Sequence, residues 1–227
     1  MTDTATLTAK VMPKDISAPT SVDRQTFEAR RDARLKQAIE EDRKALKQGL
    51  VDKLKEARGM RTLERTFDSF DASRQPKAFR TCKDYLGKYQ TGASLLMTGT
   101  YGTGKTHLAT AIANALLDDG VPAMYDTWAG HLQRLKDEFA NGERRHLSLM
   151  KKVDVLIIDD LGKDKLTEWN NEVLFEVINY RYEHRKPVVV TTNATPKELE
   201  DRCPAVYSRL CEICELIPMT GKDYRRK

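Results

Sequence analysis

The sequence predicts an α/β fold, a parallel sheet held between helices. Three observations carry this. Short apolar, β-branched runs recur at Ser94–Met97, Ala123–Tyr125, Val153–Ile158 and Val188–Thr192, with Cys214–Pro218 a candidate fifth. Longer stretches with helical spacing separate them, as at Thr106–Leu117. The runs are mostly continuous in apolar residues rather than alternating, as strands are when both faces of their sheet are covered. In such sheets ligands bind at the carboxyl ends of the strands.

Residues 1–22 are rich in Thr, Ala, Ser and Pro and lack periodicity, which reads as a mobile tail. Residues 23–60 change character: charges dominate, Pro is absent, and Leu35, Ile39, Leu46, Leu50 and Leu54 fall on one helical stripe. The stripe is narrow, so a helix there makes no core alone. It must dock on the rest of the protein, on a copy of itself or on another protein. Residues 61–227 have globular texture and form the expected main domain.

Composition bounds the rest. Of 227 residues, 40% are hydrophobic and 32% charged, which excludes a mostly disordered or collagen-like chain. The longest apolar stretches, such as Val155–Ile158, are far too short to span a membrane. The opening MTDTATLTAK lacks a secretory layout, and four cysteines in a chain this long do not make a disulfide framework. A cytoplasmic protein with no membrane partner is expected. The net charge of +5 permits a nucleic-acid partner without establishing one.

The strongest chemical signal is Gly99-Thr100-Tyr101-Gly102-Thr103-Gly104-Lys105-Thr106, a G-x-x-x-x-G-K-[ST] loop between an apolar run and a helix. A polyphosphate has to be wrapped by consecutive backbone N–H groups, and glycines allow both the close approach and positive φ. The following helix aims its unpaired N–H groups at the same anion. Residues 100–107 are therefore the expected nucleotide-binding set. Within it Lys105 reaches the β and γ phosphates, Thr106 ligates Mg²⁺, and His107 is a helix-start residue rather than a catalyst.

The second signal is the strand Val155–Ile158 ending in Asp159-Asp160. Two adjacent acids at a buried strand end are costly without a cation. Asp159 is assigned to the Mg²⁺ shell with Thr106, and Asp160 to orienting or deprotonating the attacking water. The third signal is Val188-Val189-Val190-Thr191-Thr192-Asn193, in which Asn193 either holds the lytic water or senses the γ phosphate, or else is a turn residue or a cap for the helix beginning near Pro196. ATP and Mg²⁺ are the implied cofactors.

Together these motifs resemble an AAA+ ATPase. YGTGKTHLATAIANALL, VDVLIIDDLG and TEWNNEVLFEVINYRYEHRKPVVVTTN are more specifically similar to the DnaC/DnaI-type replicative helicase loaders, phage versions included, from about Arg65 to the last residue. The resemblance implies two further site residues. Arg209 corresponds to the arginine finger that reaches a neighbouring subunit's nucleotide, a task suited to a permanently charged, bidentate guanidinium. Arg225 stands where the family places sensor 2. Only residues 210–227 follow the finger, too few for the helical lid of many AAA+ proteins, and the loaders and the related IstB transposition helpers also lack it.

Thr127–Lys152 combines an apolar face, Trp128, Leu132, Leu135 and Phe139, with Arg134, Lys136, Arg144, Arg145, Lys151 and Lys152. In the family it resembles the extra helix placed near single-stranded DNA, although Asp137, Glu138 and Glu143 dilute the charge and the apolar face reads more readily as core. Cys203, Cys211 and Cys214 lack the fourth ligand and the nearby His of a closed zinc site. The four histidines are scattered along the chain.

The resulting expectation is an ATP-dependent loader. Residues 23–60 would grip a replicative ring helicase, and the main domain would self-associate with ATP and engage single-stranded DNA. Three alternatives compete: an IstB-like transposition helper, a small-molecule P-loop kinase, and an ATP-gated adaptor that does not hydrolyse. Asp160 in place of the commoner Glu has a shorter reach to water, which fits weak or partner-stimulated turnover.

Overall fold

A computed structural model describes residues 21–162 and 167–224. Among these, five strands form one sheet: β1 (Ser94–Gly99), β2 (Ala123–Thr127), β3 (Val155–Leu161), β4 (Val188–Thr192) and β5 (Cys214–Met219). Every pairing is parallel, in the order β2-β3-β4-β1-β5. All five expected runs are strands. β1, β2 and β3 extend two or three residues beyond their apolar runs, because ladder pairing continues through polar residues, as Thr127 opposite Asp159 illustrates.

The chain leaves β1 towards β2 at one edge and leaves β4 towards β5 at the other. The carboxyl ends of the adjacent β1 and β4 are therefore a topological switch point, where such sheets open a crevice. The central strands β3, β4 and β1 are buried on both faces, whereas edge strand β5 leaves Leu216 exposed. One face, with Leu95, Met97, Val155, Ile157 and Val189, packs against α3 (Pro76–Tyr85) and the Leu108, Ile112 and Leu116 side of α4 (Lys105–Asp118). The other face, with Leu96, Leu156, Ile158, Val188 and Val190, is covered by α5 (Trp128–Ala140), α6 (Arg145–Lys152), α7 (Glu168–Glu183) and α9 (Pro204–Ile213). A short α8 (Pro196–Arg202) precedes α9, started by a Thr195–Glu198 capping box. Trp128, Leu132 and Leu135 are buried, so the apolar face of the insertion is core.

Helix α1 runs Ser21–Glu56, starting two residues before the charged segment 23–60 and ending four residues before that segment does, and a four-residue α2 follows at Met60–Leu63. The chain divides into two compact units between Leu46 and Lys47. In the first, Phe27, Leu35, Ile39 and Leu46 are exposed. In the second, the last turns of α1 join the core through fully buried Val51, with Leu54 packed beside it. The proposed tail lies almost entirely outside the described residues.

One buried charge ties the second unit together. Arg181 of α7 is fully buried and donates to five carbonyls: Met150, Lys151, Val153, Asp154 and Pro187, at 2.6–3.2 Å. The first two are terminal carbonyls of α6, which no intrahelical donor can reach, so Arg181 caps that helix from the neighbouring one.

Candidate functional site

A cavity of about 630 Å³ opens at the carboxyl ends of the strands. Residues 101–107 and Asp159, Asp160 and Asn193 all line it, so the three sequence motifs, far apart along the chain, share one site.

The loop after β1 is shaped by its glycines. Gly102 and Gly104 have φ of 75° and 100°, the left-handed region that L side chains avoid. A Cβ on Gly104 would meet the Phe70 ring at 2.6 Å, and one on Gly102 would meet the Asp223 carboxylate at 1.7 Å. Gly104 is the residue from which α4 begins, so the helix N-terminus opens on the cavity. The Lys105 ammonium donates to the carbonyls of Gly99 (2.8 Å) and Thr100 (2.7 Å). Thr100 does not line the cavity. Its carbonyl anchors Lys105 and the Thr103 hydroxyl, and its own hydroxyl reaches the Gly221 carbonyl at 3.4 Å.

Asp159 ends the face of β3 that looks towards α4 and is buried. Its Oδ1 accepts from the hydroxyls of Thr106 (3.1 Å) and Thr191, and its Oδ2 from the Tyr125 hydroxyl at 3.0 Å. Burial pushes its carboxyl above the usual carboxylate range, and the Asp160 charge adds to this, while the hydroxyls oppose it.

Strand pleat alone would send Asp160 to the opposite face. Between Ile158 and Leu161, however, β3 carries one more residue than its β4 partner, a bulge, and Asp160 has φ of 55°. The Asp160 N–H donates to the Thr191 hydroxyl at 3.0 Å, and Asp160 Oδ1 accepts from Asn193 Nδ2 at 3.0 Å. The bulge therefore turns both acids into the same cavity. Asn193 is not the cap of α8, since Thr195 fills that position.

His107 is a scaffold residue of the site. Its ring edge packs on Phe70, and Nε2 lies 2.9 Å from the Thr66 carbonyl and 3.1 Å from the Ser69 hydroxyl. Burial holds its pKa below the ordinary imidazole value. Arg209 lies outside the cavity. Its guanidinium stacks on Phe175 at 4.8 Å, and Nε donates to Asn179 at 2.8 Å, on the outer side of α7 and α9. Arg225 lies outside the described residues.

Sequence reasoning missed part of the lining: Arg65, Ser69, Phe70, Asp71 and Arg74 before β1, Tyr125 on β2, and Tyr224 after β5. Arg74 sits over the Tyr224 ring at 4.5 Å. These residues carry no motif, and only the fold brings them to the loop. Two of the scattered histidines also meet, with His131 Nδ1 and His146 Nε2 3.1 Å apart beneath α5 and α6.

The residues present fit a magnesium-bound nucleotide. The left-handed glycine loop leads into a helix N-terminus at the cavity, and Mg²⁺ is ordinarily held by one or two carboxylates plus substrate phosphates rather than by an all-protein cage. Among the described residues no cluster of three His, Cys, Asp or Glu is placed to hold a metal alone, which is compatible with that arrangement.

Sheet order, loop and acids define an AAA+ ATP-binding domain. The chain belongs to the family described as IstB-like ATP binding protein, whose model matches residues 15–227. It is similar to the phage-like element PBSX protein XkdC of Bacillus subtilis, 34% identical over 175 residues, 70% of this chain and 65% of that protein. It is also similar to the replicative helicase loader DnaC of Escherichia coli K12, 27% identical over 71% of this chain and 68% of that one. The crystal structure of the DnaC helicase loader superposes with a TM-score of 0.65 at 27% identity, covering 71% of this chain and 99% of that one. The alignment thus spans just under two thirds of XkdC's length. Among the described residues no helix is long and apolar enough to cross a membrane.

Proposed function

We propose that this protein hydrolyses ATP with Mg²⁺ to deliver a replicative ring helicase onto single-stranded DNA. The observation that carries the reading is the convergence of Lys105, Thr106, Asp159, Asp160 and Asn193 on one cavity. Thr106 and Asp159 would hold Mg²⁺, which supplies charge neutralisation at the transferring phosphoryl oxygens. Lys105 adds a fixed positive charge at the loop. Asp160, held by Asn193, accepts a proton from the attacking water.

Arg209 belongs to a second copy's site in this reading. It is absent from its own cavity and stands on an outer surface. A guanidinium there completes a neighbour's nucleotide site, so turnover requires self-association. The exposed apolar stripe of α1 up to Leu46 supplies the helicase contact, and the basic residues of α5 and α6 the DNA contact. Similarity to DnaC supports the partner assignment.

The test measures phosphate release with and without single-stranded DNA and the host's ring helicase. The reading requires turnover that these partners raise and that Asp160→Asn removes while ATP binding persists. Turnover indifferent to both partners would overturn the loader role. The IstB-like family match favours one second reading, a transposition helper acting on double-stranded DNA. It requires stimulation by duplex DNA and a transposase instead.

A further inference from the structure

We infer that Tyr125 is a positioning residue for the metal chemistry of this site, its hydroxyl fixing the Asp159 carboxylate in the orientation that faces Thr106. The inference rests on the nucleotide reading above and deepens it.

Asp159 is held from both flanking strands. Thr191 of β4 and Thr106 of α4 share Oδ1, whereas Oδ2 has one protein donor among the described residues, Tyr125 of β2. Without that donor the carboxylate can rotate about χ2, since a bond at one oxygen does not fix the plane of the group. In β2–β3 register Tyr125 pairs with Ile157, so Tyr125 and Asp159 share a sheet face. The phenol reaches diagonally along it, a separation that an aromatic or other long side chain bridges.

The ring packs partly against the core beside α4. Tyr125 lines the nucleotide cavity and also a second cavity of about 180 Å³, bounded by Leu54, Ala113, Leu117, Met124 and Leu149. The hydroxyl contact joins the packed ring to the carboxylate. Hydrogen-bond partners of a metal-ligating group commonly change metal affinity by roughly 10–100-fold when removed. Nothing in the sequence marks this tyrosine, because its role depends on the pairing of two distant strands.

The test compares wild type, Tyr125→Phe and Met124→Ala in the full chain. Met124 is on the same strand but on the opposite sheet face, so its truncation costs stability without touching Asp159. Binding of a fluorescent ATP analogue is measured in EDTA, and Mn²⁺ binding to the nucleotide complex by electron paramagnetic resonance. The inference predicts that Tyr125→Phe keeps metal-free nucleotide affinity within about twofold but weakens Mn²⁺ binding about tenfold. Met124→Ala leaves Mn²⁺ binding unchanged. Wild-type Mn²⁺ affinity in a folded, nucleotide-binding Tyr125→Phe protein would overturn the positioning role. Equal weakening in Met124→Ala would also overturn it, by showing a general effect of destabilisation. Failure of wild type to bind nucleotide would instead overturn the nucleotide reading, and this inference with it.

Discussion

Replacing Arg181 with Met tests how the insertion is held to the sheet. The side chain has similar length and no donors. Five hydrogen bonds disappear, to the carbonyls of Met150, Lys151, Val153, Asp154 and Pro187. Pro187 keeps a partner, because Leu156 N–H also donates to it at 3.3 Å. The other contacts are charge-assisted, each with a net value of about 1.5–3 kcal/mol, and an orphaned buried carbonyl costs about 1–3 kcal/mol. These terms do not add, because the guanidinium is no longer desolvated and α6 frays so that water reaches its end. With about two carbonyls left orphaned after that relaxation, at about 1–3 kcal/mol each, the loss lies at about 2–6 kcal/mol. About 4 kcal/mol is therefore expected, a large fraction of the 5–15 kcal/mol that ordinary domains possess. Urea titration followed by circular dichroism reads it as a fall in midpoint. Arg181→Lys should recover less than half, since one ammonium cannot span carbonyls from α6, β3 and the start of β4. A loss below about 1 kcal/mol in Arg181→Met would refute the capping argument.

Other outcomes are equally specific. Arg209→Ala should bind ATP normally but lose turnover by at least about 100-fold, and mixing it with Lys105→Ala protein should restore some activity through hybrid sites. No recovery in the mixture would count against a shared site. Replacing Leu35, Ile39 and Leu46 together with Gln should leave urea stability within about 0.5 kcal/mol, because these side chains are exposed, yet abolish capture of the ring helicase. The His131–His146 pair sets an acid limit. Burial lowers both pKa values from the ordinary 6.5, although Asp126 and Glu138 oppose it. Folding holds both rings neutral, so their contribution is intact above about pH 6.5 and lost as pH falls below it, by at most about 1.4 kcal/mol per pH unit per ring. His131→Gln should flatten that decline in a chemical-denaturation series, and an unchanged slope would contradict it.

Much of the fold was legible because its signals are local. A parallel sheet covered on both faces demands apolar runs, and the runs at Ser94, Ala123, Val153, Val188 and Cys214 each became a strand. The glycine loop was legible because a polyphosphate constrains neighbouring residues in sequence. What stayed hidden depends on contacts between distant segments. Asp159 and Asp160 read as a pair, but the bulge and left-handed backbone that turn Asp160 into the cavity come from its mismatch with β4. Arg181 carries no motif and sits in a helix rich in charges, yet it meets carbonyls about thirty residues earlier in the chain. His131 and His146 looked unrelated until α5 and α6 folded back on each other.

The proposition everything rests on is that the Lys105 loop and the β3 acids act on one magnesium-bound triphosphate. Calorimetric titration with ATP tests it most directly, in wild type, Lys105→Ala and Asp159→Asn, each with and without Mg²⁺. Wild type should bind more tightly with Mg²⁺ than without it. Lys105→Ala should bind weakly in both conditions, and Asp159→Asn should bind equally in both because the Mg²⁺ dependence is gone. Retention of the full Mg²⁺ dependence in Asp159→Asn, or undiminished binding in Lys105→Ala, would contradict a shared site.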